Sequence, residues 1–410
     1  MAGGMVSRLW QVFSPPTPPK SSGALKFGVL GAANIAPLAL ITPAKSHPEV
    51  IVQCVSARDR TKAEAFAKAN GIPEVRDTYQ EILDDPNIDC IFIPLPNGLH
   101  FEWAAKAIKA GKHVLVEKPS VSNSTEAEIL FNMPELSQPN GPVLLEAFHS
   151  RFYPSWVLFQ SLIDPADVVN VVSHSMIPWW GTKKTDIHFN YPLAGGSMMA
   201  MGTYNYAALR VLFGADPEEC TSCTTKAYTD GIHDKCDWEF EAKFRFPNGG
   251  TGTASSTLQG GTVMKPSWVT VTCREVEVAD ASLPAGQTKY QTRELTLQGM
   301  IHGVFWHRID VKEINVIRTK DGKEVKKWET TTSKKAYTFK EAGGEFANLP
   351  GEIYWMSYRH QLEQFVNKVK GRPVTQWISG EDSVAQMKML DMAYEKSGLG
   401  PRPTSKYRPS

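Results

Sequence analysis

The stretch Lys26-Phe-Gly-Val-Leu30-Gly31-Ala-Ala-Asn-Ile-Ala36 decides the fold of this chain. A short apolar run reads as a buried strand. Gly31 ends it, and small residues carry the chain through a tight turn into a helix. The same grammar repeats downstream. Residues 51–55 form a second apolar run, and 61–70 have helical composition and stop at Gly71. A strand is expected at 88–93, a helix at 99–110 ending at Gly111, a strand at 113–116, a helix at 124–133 and a strand at 143–147. Strands alternating with helices of this length give right-handed βαβ units and a doubly wound parallel sheet.

Past residue 150 the texture changes. Residues 237–246 alternate polar and apolar, Pro247-Asn-Gly-Gly250 turns the chain, and 251–258 return, which is an antiparallel hairpin. Residues 268–278 and 313–317 continue the strand character. Helices are expected at 352–370, with Ile353, Leu362, Phe365 and Val369 on one stripe, and at 381–397. The fold expected is therefore α/β. An extension over 1–22 precedes a Rossmann domain over 23–150, and a C-terminal α+β domain with a large, mostly antiparallel open sheet covers 151–410.

The 410 residues are 42% hydrophobic with a formal net charge of +1, which gives no electrostatic argument for nucleic acid or a membrane surface. No apolar run approaches the length of a membrane span. The first 22 residues carry Pro15-Pro16-Thr17-Pro18-Pro19 and lack an apolar h-region, so a flexible or surface-packed extension is expected rather than a leader. Six scattered cysteines suit reduced thiols and a cytoplasmic location. Cys220, Cys223, His233 and Cys236 have a zinc-like spacing. Positions three apart on a strand point to opposite faces, so no metal is expected.

Gly31-x-Ala33-x-x-Ala36 is a degraded dinucleotide fingerprint, and Gly31, Ala33, Asn34 and Ile35 are candidates to approach a pyrophosphate. An NAD site places an acidic residue at the end of the second strand. Here the chain reads Ser56-Ala57-Arg58-Asp59-Arg60-Thr61-Lys62. Ser56 and Arg58 can donate to a 2′-phosphate and Arg60 and Lys62 add charge, which favours NADP. Pro96, Asn97 and His100 follow the third strand at the cofactor edge. Glu117-Lys118-Pro119 ends the next one, where open α/β sheets bind their ligands.

Glu117-Lys118-Pro119, the Pro96-Asn97-x-x-His100 segment and Glu146-Ala-Phe-His-Ser-Arg151-Phe-Tyr-Pro154 together resemble the Gfo/Idh/MocA oxidoreductases over residues 25–397. The segment from Asp186 and His188 through Gly195-Gly196 to Gly202 and Tyr204 is similar to the branch of dimeric dihydrodiol dehydrogenases and eukaryotic NADP-dependent D-xylose 1-dehydrogenases. Ala200 stands where that branch carries Asp, and His188 where an Arg is common. The resemblance implies hydride transfer from an aldose, D-xylose favoured, to NADP, with Lys118 and Tyr204 catalytic. Tyr204 would act as base if the Lys118 ammonium drew its pKa down from about 10. Oxidation of a trans-dihydrodiol by the same residues is the alternative. A non-catalytic NADP-sensing regulator is the reading from another class, although both Lys118 and Tyr204 are present.

His149 and Arg151 are candidates to hydrogen-bond the substrate. Trp179, with Phe148, Phe152, Trp180, Phe305 and Trp306, is a candidate to stack on it. An open sheet with helices on one face leaves the other to be covered, and a homodimer through the C-terminal domain is expected.

Overall fold

A computed structural model describes residues 2–409. Six strands form a parallel sheet: β1 (Leu25–Leu30), β2 (Val50–Ser56), β3 (Glu74–Val75), β4 (Cys90–Ile93), β5 (His113–Glu117) and β6 (Leu144–Ala147). Their order is β3-β2-β1-β4-β5-β6, so the winding reverses between β1 and β4 and opens a crevice at the carboxyl ends of those strands. β4 and β6 are buried along their whole length, as expected of strands covered on both faces.

The second sheet has nine strands. These are β7 (Val168–Pro178), β8 (Glu219–Ala227), β9 (Asp237–Arg245), β10 (Thr251–Gly260), β11 (Trp268–Cys273), β12 (Val276–Val278), β13 (Gln287–Gln298), β14 (Arg308–Thr319) and β15 (Glu324–Lys334). The order is β15-β14-β13-β11-β7-β10-β9-β8, with β12 on β13. Every pairing is antiparallel except β7 with β10. The hairpin of β9 and β10 turns at 247–250 as its pattern requires.

The sheets divide between residues 147 and 168, but the helices do not respect that division. Ser357–Val369 packs against the parallel sheet, with Phe365 against Phe27 of β1 at 5.9 Å between ring centroids. This helix begins at Ser357 rather than 352, so Ile353 lies outside it and is exposed. The C-terminal segment also crosses back: Asn123 donates to Arg402 O and the Ser405 amide to Glu126. At the other end Ala2–Phe13 is helical. It is held by Arg8, which donates to Val304 O at 2.7 Å and lies over the Tyr337 ring.

A β-bulge between Cys220 and Ser222 corrects one inference from spacing. Cys220 sits opposite Phe244 and Cys223 opposite Ala242, so both cysteines point to the core side.

Candidate functional site

The carboxyl ends of β1, β2, β4 and β5 open into a cleft of about 1080 Å³ that runs to the helix carrying Tyr204. That lies at the upper end of ordinary ligand clefts, roughly 300–1,000 Å³. At its near end Gly31 adopts φ +107°, and a Cβ there would meet Leu95 Cδ2 at 3.0 Å, so glycine is required. Ala33, Asn34 and Ile35 line the cleft ahead of Pro37–Ile41, a π turn that continues into Thr42–Lys45.

Beyond this turn lie Ser56, Arg58 and Lys62. Ser56 lines the cleft and is buried, and its Oγ has no hydrogen-bond partner. Asp59 is the N-cap of Arg60–Asn70, its side chain accepting from the Lys62 amide at 3.2 Å. Arg60 does not line the cleft and is paired with Glu64 and Asp77, the latter at the cleft wall, which offsets its expected contribution of charge. Tyr79 and Trp103, edge to face at 4.9 Å, complete this wall and were not anticipated.

Pro96 and Asn97 line the middle of the cleft, and Asn97 donates to Ala194 O at 3.1 Å. That bond ties the turn after β4 to the segment bearing Asp186 and His188. His100 departs from expectation. It is fully buried away from the cleft, with Nδ1 2.9 Å from Pro119 O and Nε2 2.6 Å from Leu95 O. It fastens the loops after β4 and β5 to each other and does not face a ligand.

The far end holds the chemistry. Lys118 donates to Ala200 O at 2.8 Å, and its ammonium lies 4.5 Å from the centroid of the Tyr204 ring. Burial lowers its pKa to about 8, opposed by Glu117 and Glu146. Burial likewise pushes each of those two carboxyls up to about 7. The Tyr204 hydroxyl meets His149 Nε2 at 2.8 Å, and burial followed by Glu117 drives its pKa well above the usual phenol value. This corrects the expected pairing of ammonium with phenolic oxygen: the lysine serves the ring face and the Ala200 carbonyl, and the oxygen serves a histidine.

Asp186 and His188 both line the cleft, bonded to each other, and that bond holds the Asp186 carboxyl below its ordinary range. His302, Tyr358, Ile301 and Met201 complete the wall. Met201 belongs to the π turn just before Tyr204, whereas Ile301, His302 and Tyr358 come from a turn and a helix start far along the chain and carry no local signature. Arg151 does not face the cleft. It pairs with Asp382, which also takes Arg210, in a cluster that joins three helical segments. Trp179 is exposed and outside the cleft, as is Trp180. Phe148 and Phe152 are core, Phe148 meeting Tyr204 edge-on at 5.3 Å, and Phe305 stacks on Phe13. Trp306 is partly exposed and lies outside the cleft.

Comparison with known proteins agrees with this architecture. Residues 25–138 match the oxidoreductase family with an NAD-binding Rossmann fold, GFO/IDH/MocA, and residues 166–275 match its C-terminal domain. The chain is 32% identical over 238 residues to D-xylose 1-dehydrogenase (NADP(+)) 2 of Haloferax volcanii, covering 57% of this chain and 70% of that one. It is 31% identical over 222 residues to trans-1,2-dihydrobenzene-1,2-diol dehydrogenase of Mus musculus, covering 52% and 63%. Among solved structures, levoglucosan dehydrogenase in complex with NADH and levoglucosan superposes with a TM-score of 0.68 at 17% identity. The match covers 92% of this chain and 97% of that one.

Proposed function

The chain belongs to the GFO/IDH/MocA oxidoreductase family, and on that premise we propose that it is an NADP-dependent dehydrogenase oxidising a small neutral aldose, D-xylose favoured, at C1. The observation that carries this reading is the division of charge along the cleft. Arg58 and Lys62 stand at the end reached from β2, and among the described lining residues Lys118 is the only lysine or arginine at the far end. A phosphorylated or nucleotide-linked sugar would need a further cationic partner beside Tyr204. A sugar with hydroxyls alone is served by Asp186, His188 and His302.

The orphaned Ser56 Oγ and the required glycine at 31 fit a dinucleotide with a 2′-phosphate. Gly31, Ala33, Asn34 and Ile35 would hold its pyrophosphate, Ser56, Arg58 and Lys62 its 2′-phosphate, and Pro96, Asn97 and Glu117 its nicotinamide half. When bound, that group accepts the hydride. The protein's own part is to orient the sugar, exclude water and handle the hydroxyl proton. Tyr204 faces the reacting hydroxyl. Lys118 places a positive charge against its ring and where an oxyanion would develop.

The walls also supply Ile187, Leu193, Met201 and Ile301, apolar surface that favours a trans-dihydrodiol as second substrate class. We propose in addition a homodimer through the nine-stranded sheet. The residues of β7, β10 and β11 that alternate with buried ones, among them His174, Met176, Thr257 and Trp268, are only half-buried in one chain. Sedimentation at micromolar concentration is expected to give a dimer, and a monomer would refute it.

A steady-state screen of pentoses, hexoses and a trans-dihydrodiol with NADP and NAD tests the main reading. The highest kcat/KM is expected for an aldopentose with NADP. Failure of every aldose and diol to reduce NADP would overturn it.

A further inference from the structure

We propose that His149 is the proton partner of Tyr204, taking the phenolic proton as the substrate hydroxyl gives its own to Tyr204 Oη. This rests on the dehydrogenase reading and adds to it a side chain that never touches substrate.

The geometry is closed on every side. His149 Nε2 lies 2.8 Å from Tyr204 Oη, and Nδ1 lies 2.7 Å from Ser357 Oγ. The ring is held between Tyr358, stacked at 3.9 Å between centroids, and His302, stacked at 5.5 Å. The imidazole is fully buried and does not line the cleft, whereas Tyr204 and His302 do. It therefore acts only through Tyr204. With Nδ1–H donated to the serine hydroxyl, Nε2 offers its lone pair to the phenol. The Tyr204 proton then points inward, and the oxygen's lone pairs are left for the substrate.

Such a partner is needed. Burial keeps the Tyr204 phenol neutral, and a neutral phenol accepts a proton only as it releases one. The groups facing the imidazole are Tyr204, Tyr358 and Ser357 from two helices, His302 from the 299–307 turn and Lys118 from the end of β5. Burial, then His302 and Lys118, hold its pKa well below the usual histidine value, so the resting ring is neutral, and the 2.8 Å contact at Nε2 places it to receive the phenolic proton as the substrate hydroxyl gives up its own.

In oxidation the substrate O–H bond breaks and one forms at Tyr204 Oη. The Tyr204 O–H bond breaks and an N–H bond forms at His149 Nε2. A dinucleotide held by the residues named above would supply the acceptor for the carbon-bound hydrogen and its electron pair. The carbonyl product is neutral, and the proton displaced by the substrate hydroxyl rests on the imidazole until it passes on.

The test pairs His149→Gln, which can still hydrogen-bond Tyr204 but cannot take a proton, with nitrogen NMR of the imidazole in the ligand-free protein. Expected are a fall in kcat of about 10²-fold with KM changed less than threefold, and a larger solvent deuterium effect on kcat. Thermal melts check that the variant folds, and His149→Asn serves if it does not. The NMR is expected to show Nδ1 protonated and Nε2 unprotonated, with the Nε2 resonance moving in Tyr204→Phe. Normal kcat in His149→Gln beside an active wild type would overturn the proposal and leave the dehydrogenase reading standing. If the wild type oxidises neither substrate class, that reading fails. The NMR then decides this proposal alone: a protonated Nε2, or one indifferent to Tyr204→Phe, overturns it.

Discussion

Arg58→Ala is expected to weaken NADP binding about tenfold while leaving NAD within a factor of two. A hydrogen bond to a charged group contributes about 1.5–3 kcal/mol when shielded, and 1.4 kcal/mol is a factor of ten. Arg58 is exposed at the mouth of the cleft, so solvent and salt screening hold it to the lower end of that range. Ser56 is buried with an unpaired Oγ, so the bond proposed for it to the same phosphate would escape screening. Ser56→Ala should therefore cost at least as much as the loss of the arginine, against the ordinary ranking of the two residues. Arg58→Asp should abolish or reverse the preference. Arg60→Ala is the control: its guanidinium is engaged by Glu64 and Asp77, so cofactor affinity should not move. Calorimetric titration with NADP and NAD at low and high ionic strength reads all of this, and the Arg58 increment should shrink as salt rises while the Ser56 increment persists. Equal weakening of both cofactors by Arg58→Ala, or equal affinity in the unmodified chain, would refute the reasoning.

Tyr204→Phe keeps the edge contact with Phe148 and the Lys118 face but removes the hydroxyl, so kcat should fall by about 10²–10⁴-fold with NADP affinity unchanged. Losses from Lys118→Met and Tyr204→Phe should be far from additive, because the two act on one proton and one charge; a double variant with the product of both losses would count against that. Glu117 and Glu146 have folded pKa values raised to about 7 from 4.5, so the native state holds their protons more tightly than the unfolded chain. Their contribution to stability is full below about pH 4.5 and is lost as pH rises through about 7; Glu146→Gln should flatten that decline in urea unfolding, and an unchanged slope would refute it. Arg8→Ala removes a bond to Val304 O and a contact with Tyr337, so about 2 kcal/mol of stability should be lost, with a raised KM because the braced turn carries His302. An unaltered melting curve would show that this helix is not a brace.

Much of this protein is determined by its sequence alone, wherever the deciding interactions are local. Gly31, Gly71 and Gly111 punctuate the βαβ units, and the three glycines adopt positive φ. Glu117-Lys118 at a strand end and Ser56 at another fall in the crevice because chain direction in a parallel sheet sends every such end to one edge. The strict alternation of 237–246 specifies a hairpin for a similarly local reason, the two-residue period of a strand.

Tertiary structure decided what depends on groups remote in the chain. His100 and Arg151 sit in motifs that point to a ligand, yet carbonyls after β4 and β5 claim the first and Asp382 the second. His302 and Tyr358 join Lys118 across more than 180 positions of sequence, through the docking of the second sheet and of Ser357–Val369 on the first. The partner of the Tyr204 hydroxyl was decided in the same way. Lys118 lies over the Tyr204 ring and donates to the carbonyl that the π turn at Met198–Gly202 presents at Ala200, while His149 meets the hydroxyl. A buried polar atom takes the partner that packing brings within hydrogen-bond reach, and only the assembled layers set which one that is.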